Sequence, residues 1–358
     1  MGTKFNKNNM GYLIGSYPLL LGQDLGFPDT VNITYPVIEE LYQKQLSQIW
    51  NEHEIDLTQD RMDMLNLPAS TVLPMKLTIM TQAASDAMAS RTIGSVMMPH
   101  ATNPEFENLL NLWTFFETIH NRTYAHIIKQ TFENPVDMMK EAYANERVML
   151  RSEAILKAFD AAANLPKDST TLEAQVAILK AFTALFGLEA IMFMSSFAVT
   201  FAVAETGVFQ GIGKLVEMIC KDEVLHTRMD YEILSILKSE GWSAAIAIAS
   251  NEMKVILDDI VNHELSWSEY VFSDGQVVGL TPELLKQYVL YMAKPVYDAL
   301  GIDFEFEVVK SNPLRYMDKY VDSSMMQVAN QEMQSGQYQV GAIVDDTIGM
   351  DLSIDDLF

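Results

Sequence analysis

Two short patterns in the sequence place an acid three residues before an imidazole: Glu117-Thr-Ile-His120 and Glu223-Val-Leu-His226. On a helix that spacing turns both side chains to one face, where both can ligate a single cation. In both cases the face is one that should be buried. Phe106, Leu110, Trp113, Glu117, His120, Tyr124 and Ile127 follow one another in steps of four and three, and so do Leu215, Ile219, Asp222, His226, Met229 and Ile233. That is the stripe of a core-facing helix. An isolated buried carboxylate costs several kcal/mol unless it is paired, protonated or bound to a metal.

Two further helical stretches each carry one acid on an apolar side. Asp86 lies in line with Ile79, Ala83, Ser90 and Ile93, and Glu189 is the one charge in AFTALFGLEAIMFMSSFAVTFAVA, residues 181–204. Four helices giving acid, acid-x-x-His, acid and acid-x-x-His make up the ligand set of a dinuclear carboxylate site inside a four-helix bundle. Four carboxylates and two imidazoles offset the charge of two divalent ions, and an oxygen-rich set of this kind suits iron or manganese better than zinc. Tyr124, four residues beyond His120, shares its face and should sit near the metals. By spacing alone it reads first as a core tyrosine with a satisfied hydroxyl. Cys220 reads as a small buried residue beside the metal helix.

The elements that must position these groups are helical. Periodicity and capping residues predict helices over 37–50, 70–98, 103–132, 136–163, 171–206, 212–238, 242–265 and 281–299. Asn103 followed by Pro104, and Thr281 followed by Pro282, mark two of the starts. No run has the pattern of a sheet strand; 271–280 and 302–309 are at most a local hairpin or loops. The stretch 181–204 is long enough to span a bilayer. The competing reading is a fully buried central helix, and a metal gives Glu189 a reason to lie in it. From about 321 the chain turns rich in Ser, Gln, Gly and Asp, as a flexible tail does. Its end alternates Asp with apolar residues, as a docking peptide does.

The chain has 358 residues and a net charge of −24, which argues against nucleic acid or an anionic membrane surface as a partner. One cysteine excludes an intramolecular disulfide, and a cytoplasmic location is the simplest reading.

Three segments carry a closer likeness: WTFFETIHNRTYAHII (113–128), FGLEAIMFMSSFAVTFAVAE (186–205) and KDEVLH (221–226). They resemble the signature segments of the small, radical-generating (beta) subunit of class I ribonucleotide reductase, and the likeness runs from about residue 18 through the tail. The resemblance implies an all-α, ferritin-like bundle over 31–320. An extended segment, 1–30, would precede it, and a tail, 321–358, would serve radical transfer and large-subunit docking. It implies that Asp86, Glu117 and His120 ligate one metal and Glu189, Glu223 and His226 the other, with Glu117 and Glu223 able to bridge. Tyr124 falls on the radical tyrosine, Phe193, Phe197 and Ile219 on the apolar pocket around it, and Trp113 on a position that orients a carboxylate ligand. Trp50, Asp222 and His120 match the inner part of a relay that ends at Tyr338, with Glu332 as a tail acid of lesser role. Lys221 stands where Arg is common in the family, with little consequence expected. The implied cofactor is two iron ions (a diiron-oxo centre), with manganese as the other metal these ligands accept. The implied partners are a large (alpha) subunit and a second copy of the chain, with neither nucleic acid nor membrane. The rival readings are another ferritin-like dimetal oxidase or hydroxylase, or a metal-storage bundle.

Overall fold

The computed structural model describes residues 3–165, 170–273 and 277–322. Its helices, in chain order, are α1 (Gly11–Ile14), α2 (Pro36–Leu46), α3 (Thr58–Asn66), α4 (Ala69–Thr92), α5 (Pro104–Thr131), α6 (Pro135–Ala144), α7 (Glu146–Ala163), α8 (Thr171–Gly187), α9 (Met194–Ala204), α10 (Gln210–Ser239), α11 (Ser243–Tyr270), α12 (Pro282–Leu300) and α13 (Asp318–Val321). Among the described residues there is no strand, only the isolated bridges Leu20–Ala101 and Val277–Leu280. The tail, with Tyr338 and Glu332, lies outside the described residues.

Local chemistry sets several of the boundaries. The Asn103 side chain accepts from the Phe106 amide at 2.8 Å, and Pro104 fills the first position of α5, where an amide hydrogen would have no partner. Asn134 and Thr281 cap α6 and α12 in the same way. Asn145 explains why the helix expected over 136–163 is two: its side chain accepts from Arg147 and Val148 and restarts the chain as α7. The helix expected over 37–50 ends at Leu46, α11 runs on to Tyr270, and α3 lies where sequence periodicity was too weak to show a helix.

That unforeseen helix has a definite task. Asp60 of α3 accepts from the amides of Gly211 and Ile212 at 3.1 and 2.8 Å, so it caps the start of α10 from outside. The approach requires Gly211, since a Cβ there would lie 2.4 Å from the Asp60 carboxylate.

The core sits where α4, α5, α10 and the α8–α9 rod meet, with α7, α11 and α12 packed outside that rod. The rod is the apolar segment that invited a membrane reading. Its most apolar stretch has a mean hydropathy of 1.9, and 83% of that stretch is buried in the protein, so it is the central core helix. It is not one continuous α-helix. Leu188–Phe193 forms a π-helical turn between α8 and α9, and a second π turn, Ile93–Met97, follows α4. Such wide turns rotate the following side chains relative to an unbroken helix and are frequent at functional sites.

Candidate metal centre

Each of the six acid and imidazole groups singled out in the sequence comes from one of the four core segments. Asp86 projects from α4, Glu117 and His120 from α5, Glu189 from the π turn, and Glu223 and His226 from α10; all six are fully buried. They fall into two overlapping groups, Asp86–Glu117–His120–Glu223 and Glu117–Glu189–Glu223–His226, and within each group the ligand atoms lie within 4.8 Å of one another.

The two shared acids have the geometry of a bridge. Nδ1 of His120 lies 3.1 Å from one Glu223 oxygen and 3.7 Å from one Glu117 oxygen. Nδ1 of His226 lies 3.1 Å from the other Glu117 oxygen and 3.2 Å from the other Glu223 oxygen. Asp86 is 3.7 Å from His120, on the outer side of the first group. Neither oxygen of Asp86, Glu117 or Glu189 receives a directed hydrogen bond from the described residues. Such bare carboxylates, closed in the core, have the chemistry of a cation site.

Electrostatics says the same. Burial pushes the Asp86 carboxyl well above the usual carboxylate range, with His120 opposing. Burial also lifts Glu189, helped by the neighbouring Asp230 and Glu223. Burial would lift Glu117 too, but His120 and His226 beside it hold it down at about 2. In turn Glu223 and Glu117 raise His226 to about 9 against the effect of burial. The cluster thus draws in protons wherever no other positive charge reaches it. Two divalent ions held by four carboxylates and two imidazoles would replace those protons.

Behind His120 runs a directed chain. Its Nε2 lies 3.1 Å from Oδ2 of Asp222, and the Trp50 indole donates to that same oxygen at 2.7 Å. The Trp50 and His120 rings are nearly parallel, with centroids 6.1 Å apart. Gln45 of α2 donates to the other Asp222 oxygen at 3.4 Å, a partner that sequence reading missed although Gln45 sits on the buried stripe of Ile38 and Leu41.

Tyr124 stands one turn beyond His120, 1% exposed, and its hydroxyl has no hydrogen-bond partner among the described residues. The core-tyrosine reading needed a satisfied hydroxyl, and this one is bare. Burial, then the charges of Asp86 and Glu223, push its ionisation well above the ordinary phenol value. The tyrosine borders an apolar cleft of about 610 Å³ between α4, α5, α6 and α7. Phe193 and Phe197 stack at 5.7 Å, and with Ile219 they belong to the same buried core as Tyr124. Trp113 lies against the His226 ring at 5.1 Å between centroids, and its indole N–H meets no acceptor among the described residues. Cys220 is a free, buried thiol.

A second acid that sequence reading passed over is Asp230. It follows His226 by four residues on the same face of α10, is fully buried, and neither of its oxygens meets a directed hydrogen bond among the described residues. Its place on the core stripe was the signal that could have found it.

Comparison with known proteins adds the family. Residues 29–313 match the model of the family described as "Ribonucleotide reductase, small chain". A curated relative, ribonucleoside-diphosphate reductase 1 subunit beta of Salmonella typhimurium, is 30% identical over 357 residues, covering 94% of this chain and 95% of its own. Among solved structures, the ribonucleotide reductase R2 subunit from Clostridium botulinum superposes with a TM-score of 0.80 at 21% identity, covering 89% of this chain and 98% of its own. The dimanganese(II) NrdF of Streptococcus sanguinis has the same fold at a TM-score of 0.65 and 17% identity, covering 81% and 96%.

Proposed function

The chain belongs to the ribonucleotide reductase small-chain family, and we propose that it is the beta subunit that generates and stores a tyrosyl radical on Tyr124 for the reduction of ribonucleoside diphosphates by a large subunit. The observation that carries this reading is a pair of overlapping metal-ligand groups in the core, where two carboxylates each face both imidazoles, with a bare phenol one turn away.

Asp86, Glu117 and His120 would hold one ion and Glu189, Glu223 and His226 the other, with Glu117 and Glu223 between them. A pair of iron ions, or of manganese ions, once oxidised by an oxygen species, would supply the oxidising equivalent that removes one electron from a nearby phenol. We assign iron. The rest is work for the protein. A phenol that loses an electron must also lose its proton, and the acids whose charges act on the Tyr124 phenol are Asp86, Glu223 and Glu117. Phe193, Phe197 and Ile219 would keep water and reductants from the phenoxyl radical, a use of burial beyond stability. Asp222 accepts from Trp50 and meets His120, so it fixes the ring that would face the metals and joins it to the buried Trp50 indole. In the tail, Tyr338 would pass the oxidising equivalent on, Glu332 would assist, and the acidic-apolar terminus would dock on the large subunit. Residues 31–320 would form the metal-binding unit, in a homodimer in the cytoplasm.

The test is turnover. Metal-free protein loaded with Fe(II), exposed to oxygen and mixed with its large subunit and a dithiol reductant should convert a ribonucleoside diphosphate to the deoxy form, and Tyr338→Phe should keep the radical while losing turnover. Radical formation without any turnover of the complete mixture would contradict the assignment.

A further inference from the structure

Every residue from 181 to 204 of the α8–α9 rod is buried, so this part of the rod has no exposed face. An amphipathic helix has its rotation set by the boundary between its polar and apolar sides, and a helix apolar all round has no such boundary. The π turn at Leu188–Phe193 makes that rotation matter, because it carries Glu189. A π turn holds about one residue more than an α turn, and one residue of an α-helix is about 100° of rotation. Were the turn to relax to regular α-helix, the side chains on one side of it would swing by about that angle relative to the other. The rod would bury as much apolar surface as before, so only directional contacts oppose the slip.

Those contacts lie immediately after the turn. The Ser195 hydroxyl meets the Glu264 carboxylate of α11 and the Met192 carbonyl of the π turn, the latter at 3.0 Å. The Arg151 guanidinium of α7 donates to the Ser196 hydroxyl at 3.0 Å and to the two Glu264 oxygens at 2.6 and 2.7 Å. All four side chains are buried. Ahead of the turn the same α11 holds the rod by shape: a Cβ on Gly187 would lie 2.6 Å from Ile260, one turn before Glu264. The π turn is thus spanned by two attachments to one helix, the first steric and the second polar. Farther along, Thr200 adds contacts of 3.3 Å to Thr78 and Gln82 of α4. For stability alone, apolar side chains of similar volume often match or surpass a buried ion pair; what the pair can add is one fixed arrangement. We propose that Arg151, Glu264 and Ser195 are positioning residues for the second metal, locking the rod in the register at which the π turn presents Glu189 to Glu223 and His226. The pair is structural in kind, and its output is the direction of one ligand.

The inference rests on the dimetal reading, and one experiment separates the two. Mn(II) titration of the metal-free protein, read by EPR of free and bound Mn(II), gives the affinity of each site, and Glu189→Ala identifies which one is the second. The variants are Ser195→Ala, the double variant Arg151→Met/Glu264→Leu, and Thr183→Ala as a control; metal-free melting curves report folding. Ser195→Ala leaves both Glu264 oxygens on Arg151, and the double variant replaces the pair by apolar side chains, so neither strands a buried charge. In both, the second ion should bind about tenfold more weakly while the first is unchanged, and saturating Mn(II) should still fill two sites. Thr183 lies on the same rod ahead of the turn and donates to the Leu179 carbonyl at 2.8 Å. Removing its hydroxyl should leave both affinities at their wild-type values. Unchanged second-site affinity in Ser195→Ala or in the double variant, or an equal loss in Thr183→Ala, would overturn the proposal. If the double variant fails to fold, Ser195→Ala alone decides. A wild-type chain that binds fewer than two ions would overturn the dimetal reading and this inference with it.

Discussion

Glu264 and Glu117 are both fully buried carboxylates in one helical bundle, and their surroundings differ in kind. Glu264 of α11 is completed by the protein. The Arg151 guanidinium of α7 donates to its two oxygens at 2.6 and 2.7 Å, Ser195 of α9 donates to one of them, and the guanidinium lies 4.3 Å above the Trp267 ring. Glu117 has two imidazoles nearby and no directed donor, in company with Asp86, Glu189 and Glu223. One cluster is an ion pair whose carboxylate is met on both oxygens and which ties α7, α9 and α11 together. The other is finished only by ions from outside. A buried carboxylate thus marks function in this fold where neither of its oxygens meets a directed donor, and marks structure where both do.

Substitutions at the two clusters should therefore fail in opposite ways. Glu223→Ala removes an acid common to both ligand groups and should abolish the paired metal signal in Mn(II) EPR, while the chain still folds. Glu264→Ala leaves the buried Arg151 guanidinium uncompensated and should cost about 3–5 kcal/mol in denaturant unfolding, with metal stoichiometry as in wild type. Equal loss of metal in both variants would erase the distinction. A smaller effect is expected of pH on the metal-free protein. His226 titrates at about 9 in the folded chain, above its unfolded value of about 6.5. Its contribution is complete below the unfolded value and is lost as pH rises through about 9. The raised carboxyls of Asp86 and Glu189 act in the same direction. The melting temperature should fall over that range without metal, and much less once metal has displaced the protons. Tyr124→Phe should change least in stability, by under about 1 kcal/mol, because the hydroxyl it removes has no partner.

The site was more legible in the sequence than the elements carrying it. Glu117, His120, Glu223 and His226 could be found because an acid and an imidazole interrupt an otherwise apolar 3.6-residue period, a signal needing no tertiary knowledge. Asp86 and Glu189 followed as the acids of two more core faces. The π turn at Leu188–Phe193 was invisible because a run apolar on every side has no phase in which a slip could show. The break at Asn145 was missed because helical residues flank it, so its capping competed with strong propensity on both sides. Helix α3 has only Asp60 buried and so no apolar stripe to read; its purpose, capping α10, lies about 150 residues away. Gln45 escaped because its partner, Asp222, lies on another helix.

The measurement closest to the central claim is EPR of metal-free protein loaded anaerobically with Fe(II) and then exposed to oxygen, beside Tyr124→Phe treated in the same way. The account predicts a tyrosyl doublet in the wild type, relaxed by a nearby metal pair and absent from the variant although both take up two ions per chain. Two ions taken up with no radical in the wild type, or the same doublet persisting in Tyr124→Phe, would contradict it.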